Sequence, residues 1–137
     1  MDRIAYKSGY KYQLCETHKT PTCIRPDLLI DTKYMQLETD GFLTIREGYC
    51  WDGPSGPAID TRNFMRGSLV HDVFYQLIRE GHLHHCYRNE ADKELRRICF
   101  EDGMSALRAW WVYLGVRFGG GPAADPAHAR KLIYAPK

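Results

Sequence analysis

The hydrophobic periodicity of the sequence changes at segment 51–57 (WDGPSGP). Before this segment, apolar and polar residues alternate over residues 35–39 and again from 42 to about 50, and Asp40-Gly41 lies between the two runs. Asp-Gly between alternating runs predicts an antiparallel β-hairpin. The two prolines and two glycines of WDGPSGP interrupt regular structure. The apolar residues that follow recur at helical spacing, so we expect a sheet first and helices after it.

Three helices are predicted after the loop. The first runs from about residue 63 to 80, and the second follows Asn89 as its N-cap and ends at Asp102-Gly103. The third follows Ser105 and ends at the glycines 119–121. The fold class is therefore α+β, with a small N-terminal antiparallel sheet packed against about three helices. We expect a single domain over residues 1–121 and an extended C-terminal tail over 122–137 that wraps the surface or contacts a partner.

Composition and charge exclude several classes of protein. A formal net charge of +2 is too small for a broad nucleic-acid-binding surface, so no nucleic-acid partner is expected. The five cysteines form no CxxC pair, which predicts neither a disulfide framework nor a zinc ribbon. The N-terminus lacks the apolar core of a signal peptide, and no run of residues is apolar enough to span a bilayer. We therefore expect a soluble protein without a signal peptide.

A group of polar residues on the first two helices is the strongest candidate for a functional site. His71 and Tyr75 are four residues apart and share a helix face, whereas Asp72 is turned by about 100° from His71. Because apolar residues flank His71, its imidazole is expected to be buried and to need a partner. Asp92 lies on the inward stripe of the second helix. If the two helices pack antiparallel, His71 and Asp92 can meet as a general base and the carboxylate that orients it.

The order of these motifs resembles that of known proteins. A glycine-rich loop, then His71-Asp72-Val73-Phe74-Tyr75 (HDxxY), then Ala91-Asp92 is similar to the phospholipase A2 superfamily, most of all to its disulfide-free form in parvovirus capsid proteins. The similarity covers roughly residues 49 to 100. The whole chain also resembles an uncharacterised phage and prophage family with a WDG loop, an HDxxY helix and an AD helix. That resemblance implies a place in the bacterial host cytoplasm or in the virion.

The phospholipase resemblance implies a calcium-dependent cleavage of a lipid ester. His71 would be the base that activates water, with Asp92 as its orienting partner and Tyr75 in the same catalytic group. Calcium would be bound by Asp72 and by carbonyl oxygens of the loop. The loop residues assigned to the metal are Trp51, Asp52, Gly53 and Ser55, with Gly56 as the alternative to Ser55 for the third carbonyl. A lipid or membrane surface and phage structural proteins are the implied partners, and the oligomeric state stays open.

Other interpretations are compatible with the same residues. The His/Asp pair can be a structural network in a non-catalytic virion or assembly protein. A metal-dependent phosphohydrolase is a third hypothesis, for which His18 is the available upstream histidine. The run His82, His84, His85 and Cys86 suggests zinc but fits a polar connection between helices equally well. Trp110 and Trp111 are expected to cover the core, with a lipid interface as the alternative.

Overall fold

The structure is a computed structural model that describes residues 3–7, 12–51 and 62–119. Within these ranges the N-terminal half forms antiparallel β-structure and the rest forms helices, so the predicted α+β class is confirmed. The strands are β1 (Tyr6–Lys7), β2 (Tyr12–Leu14), β3 (His18–Pro21), β4 (Ile30–Asp31), β5 (Met35–Leu37), β6 (Phe42–Ile45) and β7 (Cys50–Trp51). The helices are α1 (Arg62–Arg79), α2 (Arg88–Glu101) and α3 (Ala106–Gly119), and a 3₁₀ turn, His85–Tyr87, precedes α2.

The predicted hairpin is present as β5 and β6, in which Met35 pairs with Ile45 and Leu37 with Leu43. All four of these side chains are buried on one face of the sheet, as their alternation requires. Gly41 is needed in the connecting turn because its φ is +93°, and a Cβ there would lie 2.3 Å from the carbonyl oxygen of Thr22. The hairpin belongs to a four-stranded sheet with the order β3-β6-β5-β4.

The return strand is shorter than the predicted span of Phe42 to about Cys50, and this part of the prediction is wrong. Strand β6 ends at Ile45, and a turn through Gly48, whose φ is +94°, redirects the chain. The next two residues, Cys50–Trp51, form β7 in a second, three-stranded sheet with the order β1-β2-β7. The alternation continues across the turn, so the sequence pattern alone does not show that the chain changes sheets.

Helix α1 is the centre of the fold because it is buried on almost every side. The main apolar core joins the inner face of the four-stranded sheet to α1, and its α1 members include Leu69, Val73, Phe74 and Leu77. A second, smaller core links α1 to the other two helices through Phe64, Leu95, Cys99, Met104 and Ala109. This double packing explains why the polar residues of α1 are buried as well.

The first two helices pack antiparallel, as the candidate site requires. Near the start of α1, the buried guanidinium of Arg66 pairs with Glu101 and Asp102 at the end of α2. At the middle of α1, His71 contacts Asp92 near the start of α2. The start of α1 therefore lies beside the end of α2, and later residues of α1 lie beside the start of α2.

Two details of the helices differ from the predictions. Asn89 is not the N-cap of α2: the helix already begins at Arg88, and the Asn89 side chain accepts a hydrogen bond from the Tyr113 hydroxyl at 2.9 Å. Trp110 and Trp111 do not cover the core but are 41% and 63% exposed. The inner face of α3 is instead filled by smaller residues, Ala109 with Val112 and Val116. The predicted tail, 122–137, lies outside the described residues.

Candidate functional site

His71 of α1 and Asp92 of α2 form a buried pair. His71 Nε2 lies 2.7 Å from Asp92 Oδ1, and the Asp92 side chain has no exposed surface. The two residues meet because α1 and α2 approach closely along the face that carries Gly67 and His71. A Cβ at Gly67 would lie 2.7 Å from Cys99 Sγ, so glycine permits the close approach. The contact that helical spacing predicted for His71 and Asp92 is thus present.

Tyr75 joins the same pair. Its hydroxyl donates a hydrogen bond of 2.6 Å to Asp92 Oδ1, and its ring packs against the imidazole of His71 with 4.1 Å between ring centroids. Arg88 Nε in turn donates a hydrogen bond of 3.1 Å to the Tyr75 hydroxyl oxygen. Because the Tyr75 hydroxyl oxygen accepts this hydrogen bond from Arg88, the hydroxyl hydrogen of Tyr75 is directed to Asp92.

The other oxygen of Asp92 is held by α3. Arg117 Nη1 donates a hydrogen bond of 2.9 Å to Asp92 Oδ2. Arg88 Nη2 donates to the backbone carbonyls of Val116 and Arg117 at 3.1 and 2.8 Å, in the last turn of α3, where carbonyl groups lack helical partners. All three helices therefore converge on one carboxylate.

The environment shifts the pKa values of the three central groups. Burial would lower the pKa of His71, but the carboxylates of Asp72 and Asp92 outweigh burial and raise it above its usual value. Burial would raise the pKa of Asp92, but hydrogen bonds from His71, Tyr75 and Arg117 hold it below its usual value. Burial and the Asp92 carboxylate raise the pKa of Tyr75. Asp92 is therefore ionised and Tyr75 protonated at neutral pH.

The ionised Asp92 fixes the tautomer of neutral His71. A carboxylate can only accept, so Nε2 carries the ring proton that it donates to Asp92. The other nitrogen, Nδ1, is then unprotonated and able to take a proton. Among the described residues, its nearest charged group is Asp72, whose Oδ1 lies 3.9 Å away, beyond hydrogen-bond distance. The arrangement thus has a base atom on one side of the ring and an orienting carboxylate on the other.

Asp72 differs from Asp92 in its exposure. Its side chain is 35% exposed, on the Nδ1 side of His71. The two aspartates, for which separate roles were predicted, therefore differ in their surroundings. The Asp92 carboxylate is enclosed by hydrogen-bond donors, and the Asp72 carboxylate is accessible to solvent. Only an accessible carboxylate can bind an ion or a substrate from solution.

Trp51 begins the predicted metal loop and is the one residue of that loop that the structure describes. Its side chain is buried, and its indole Nε1 donates a hydrogen bond of 3.1 Å to Ser68 Oγ on α1. Ser68 lies four residues before Asp72, one helical turn away on the same face. The loop therefore leaves β7 from a point fixed to the helix that carries Asp72. The predicted metal residues Asp52, Gly53 and Ser55, and the alternative Gly56, lie outside the described residues.

In ranges 3–7, 12–51 and 62–119, no group of three or more His, Cys, Asp or Glu side chains is arranged to hold a metal ion, and this includes the run His82 to Cys86. His18 is buried on β3. In the same ranges, no helix has the length and apolar content needed to cross a membrane.

Arg88 and Arg117 belong to the site but are not among the residues predicted from the sequence. Arg88 lies four residues before Asp92, so helical spacing could have placed it on the same face. Arg117 gave a weaker signal: it is one of two charged residues in an otherwise apolar helix, which indicates a specific partner but does not identify it.

Comparison with known proteins identifies the family of the chain. Residues 27–116, more than half of the chain, match a family described as a protein of unknown function, DUF1353. The chain belongs to this family. No curated protein and no solved structure shows a significant match. The matched region contains α1, α2 and most of α3, and so it includes the described residues of the candidate site except Arg117, which follows the last matched residue.

Proposed function

We propose that this protein is a phospholipase A2-like hydrolase that cleaves a lipid ester, with His71 as its general base. The observation that carries the proposal is the 2.7 Å contact between His71 Nε2 and a fully buried Asp92, which leaves Nδ1 on the side of the solvent-accessible Asp72. The proposal includes a phage or prophage origin, with the protein in the host cytoplasm or the virion. That part is supported by the motif resemblance.

The residues of the site have distinct roles in this reaction. His71 Nδ1 takes a proton from a water molecule as the water oxygen attacks the ester carbonyl carbon. Asp92 stabilises the imidazolium that forms, while Tyr75 and Arg117 hold Asp92 in place. When the bond between the carbonyl carbon and the alcohol oxygen breaks, His71 returns the proton to the leaving oxygen. The products are a carboxylic acid and an alcohol, and His71 is again neutral.

Calcium fits the accessible side of the site. Calcium prefers oxygen ligands, and the accessible carboxylate of Asp72 provides one. Carbonyl oxygens of Trp51, Gly53 and Ser55, with Asp52 beside them, complete the proposed ligand set. A bound calcium ion would supply positive charge to the oxyanion of the reaction.

The test is hydrolysis of phosphatidylglycerol vesicles, with release of fatty acid measured with calcium and with EDTA. Wild type should hydrolyse only with calcium, and His71→Asn should lose roughly 10²-fold or more in rate, as expected for removal of a general base. His82→Asn is the matched control because His82 lies on the exposed connection after α1. Asp72→Asn should lose the calcium-dependent hydrolysis. Thermal unfolding of each variant shows whether it is folded.

A second candidate is a non-catalytic protein in which the same network is structural. It is favoured by the observation that both oxygens of Asp92 are occupied and that their partners lie on α1 and α3. In that case wild type shows no calcium-dependent hydrolysis, and His71→Asn changes only the melting temperature. That pair of results would overturn the proposed hydrolase.

A further inference from the structure

Helix α3 exposes an apolar stripe to solvent. Leu107, Trp111, Leu114 and Phe118 lie within about 60° of one another around the helix axis, and Trp110 flanks them. We call these five residues the outer stripe. Four of them are among the large apolar residues that the structure leaves exposed, from 41% for Trp110 to 87% for Phe118. An aligned row of large, exposed apolar residues is unlike the scattered apolar residues of an ordinary surface.

The outer stripe is not required for the packing of α3. The opposite face of the helix already packs against the smaller core through Ala109, Val112 and Val116. The helix is therefore apolar on both sides, but only one side has a partner among the described residues. The outer stripe extends over the twelve residues 107–118, or about 17 Å of helix.

Basic residues of α2 border this helix. A groove of about 430 Å³ between α2 and α3 is lined by Lys93, Arg96 and Phe100 on one side and by Tyr113 on the other. Lys93 and Arg96 are exposed, and within the described residues neither forms an ion pair. Arg97, by contrast, is paired with Glu94 and Glu101. The unpaired positive charge of the groove therefore comes from Lys93 and Arg96.

No acidic residue of α3 offsets this charge. The sequence contains no Asp or Glu from residue 103 to 124. Exposed Trp, Phe and Leu on one helix, with exposed Lys and Arg on the helix packed against it, are typical of surfaces that lie at the boundary of an anionic bilayer, where the rings enter the interface and the cations meet lipid phosphates. A symmetric contact between two copies would bring two sets of Lys93 and Arg96 together, which disfavours a dimer through this face.

We propose that the outer stripe, together with Lys93 and Arg96, is a docking surface for an anionic phospholipid bilayer. The proposal deepens the proposed function and rests on it for the link between docking and cleavage. The link is structural: the outer stripe ends at Phe118, next to Arg117, whose guanidinium contacts Asp92. Docking through α3 would therefore bring the His71–Asp92 site to the lipid surface.

Binding is measured by sedimentation of the full chain with vesicles in EDTA, so that the result does not depend on calcium-driven hydrolysis. Wild type should bind vesicles of phosphatidylcholine with 30% phosphatidylglycerol about tenfold or more tightly than pure phosphatidylcholine, and added salt should weaken this binding. Tryptophan emission should shift to shorter wavelength on binding, because two of the three tryptophans lie in the outer stripe.

Two double variants separate the parts of the surface. Trp110→Ser with Trp111→Ser should reduce binding about tenfold or more and remove the emission shift. Lys93→Glu with Arg96→Glu should reduce binding to anionic vesicles to the level seen with phosphatidylcholine. The matched controls are Leu28→Ser with Leu29→Ser, an exposed apolar pair between β3 and β4, and Lys19→Glu with Arg25→Glu. All of these positions are exposed, so unchanged melting temperatures are expected.

Several outcomes would overturn the docking surface. Equal binding to both vesicle types, or tight binding by the tryptophan variant, would exclude it. A concentration-dependent dimer that dissociates in the tryptophan variant would assign the outer stripe to a second copy. Absence of vesicle binding would mean that a protein or residues 120–137 occupy it. If binding occurs as expected and hydrolysis fails, the docking surface stands and only the proposed enzyme is lost.

Discussion

Arg117 Nη1 donates a hydrogen bond of 2.9 Å to Asp92 Oδ2, and this contact joins the end of α3 to the start of α2. Asp92 has no exposed surface, so the contact satisfies an ionised oxygen that water does not reach. The same carboxylate accepts from Tyr75 and His71 through its other oxygen. The orientation of the candidate base is therefore coupled to the position of the third helix.

Replacement of Arg117 tests this coupling. Arg117→Ala should lower the free energy of unfolding by roughly 1–3 kcal/mol, the usual cost of leaving a buried polar group without a partner. Arg117→Lys keeps the charge but not the guanidinium geometry and should recover part of the loss. Urea unfolding measures the free energy of unfolding of both variants. Arg96→Ala is the control, since Arg96 is exposed and should change stability little. Equal unfolding free energies for Arg117→Ala and wild type would contradict the coupling.

The contact between His71 and Asp92 was predictable because local rules determine it. Helical spacing places His71 on a buried face, and the inward stripe of α2 places Asp92 opposite it once the helices are antiparallel. The Asp40-Gly41 hairpin was predictable for the same reason, since two adjacent runs and their turn contain all the information needed.

The errors arose where distant parts of the chain decide the outcome. The change of sheet after Ile45 depends on pairing between β7 and β2, which is 36 or more residues away. Asn89 is a residue type typical of an N-cap, but α2 follows directly on the 3₁₀ turn and begins at Arg88, two residues earlier than predicted. Trp110 and Trp111 were expected in the core because hydrophobicity does not show which face of an apolar helix meets the protein. The role of Arg117 is likewise set by tertiary packing.

The pH dependence of stability should report the raised pKa of His71. The titratable and charged groups around its ring come from each of the three helices and are Asp72, Tyr75, Asp92, Arg88 and Arg117. Because the folded pKa lies above the ordinary value of 6.5, folding favours the protonated ring. This contribution to stability is fully present below pH 6.5 and is lost as the pH rises through the folded pKa.

Urea unfolding in EDTA from about pH 5.5 to 9 measures this effect. Wild type should lose stability with rising pH relative to His71→Asn, in which the titrating ring is absent. Asp72→Asn removes one carboxylate that raises the pKa, so its loss of stability should begin at lower pH. If wild type and His71→Asn had parallel profiles across this range, the folded and unfolded pKa values of His71 would be equal and the prediction would be wrong.

The hydrogen bond from Trp51 to Ser68 should fix the start of the loop on α1. Trp51→Phe removes the indole donor and should cost about 0.5–1.5 kcal/mol for the hydrogen bond, plus the loss of buried ring area. Ser68 keeps its own bond to the Met65 carbonyl, so the variant leaves no hydroxyl unsatisfied. Trp111→Phe is the matched control at an exposed position.

The same pair of variants tests the role of the loop in calcium binding. If calcium is bound by Asp72 and by the carbonyl oxygens of Trp51, Gly53 and Ser55, Trp51→Phe should weaken calcium binding measured by isothermal titration calorimetry, whereas Trp111→Phe should not. If Trp51→Phe lost stability as expected but kept its calcium affinity, the hydrogen bond from Trp51 to Ser68 would have no role in calcium binding and the prediction would be wrong.

Gly67 and Gly115 give opposite expectations for the same substitution. A Cβ at Gly67 would lie 2.7 Å from Cys99 Sγ and 3.1 Å from Leu95 Cδ1, so Gly67→Ala should force α1 and α2 apart and cost roughly 1–3 kcal/mol. A Cβ at Gly115 would meet no atom within 4 Å, so Gly115→Ala should be neutral or stabilise α3 by up to about 1 kcal/mol.

The separation of the helices should also be visible at the candidate site. Adding Cys99→Ala to Gly67→Ala removes the nearest atom and should restore part of the lost stability, which a double-mutant cycle measures as a coupling free energy. Gly67→Ala alone should also lengthen the contact between His71 and Asp92, because both contacts lie along the same face of α1. The imidazole ¹⁵N shifts of His71 report that hydrogen bond. Unchanged shifts in a clearly destabilised Gly67→Ala would show that the helices adjust locally and that the site does not depend on their close approach.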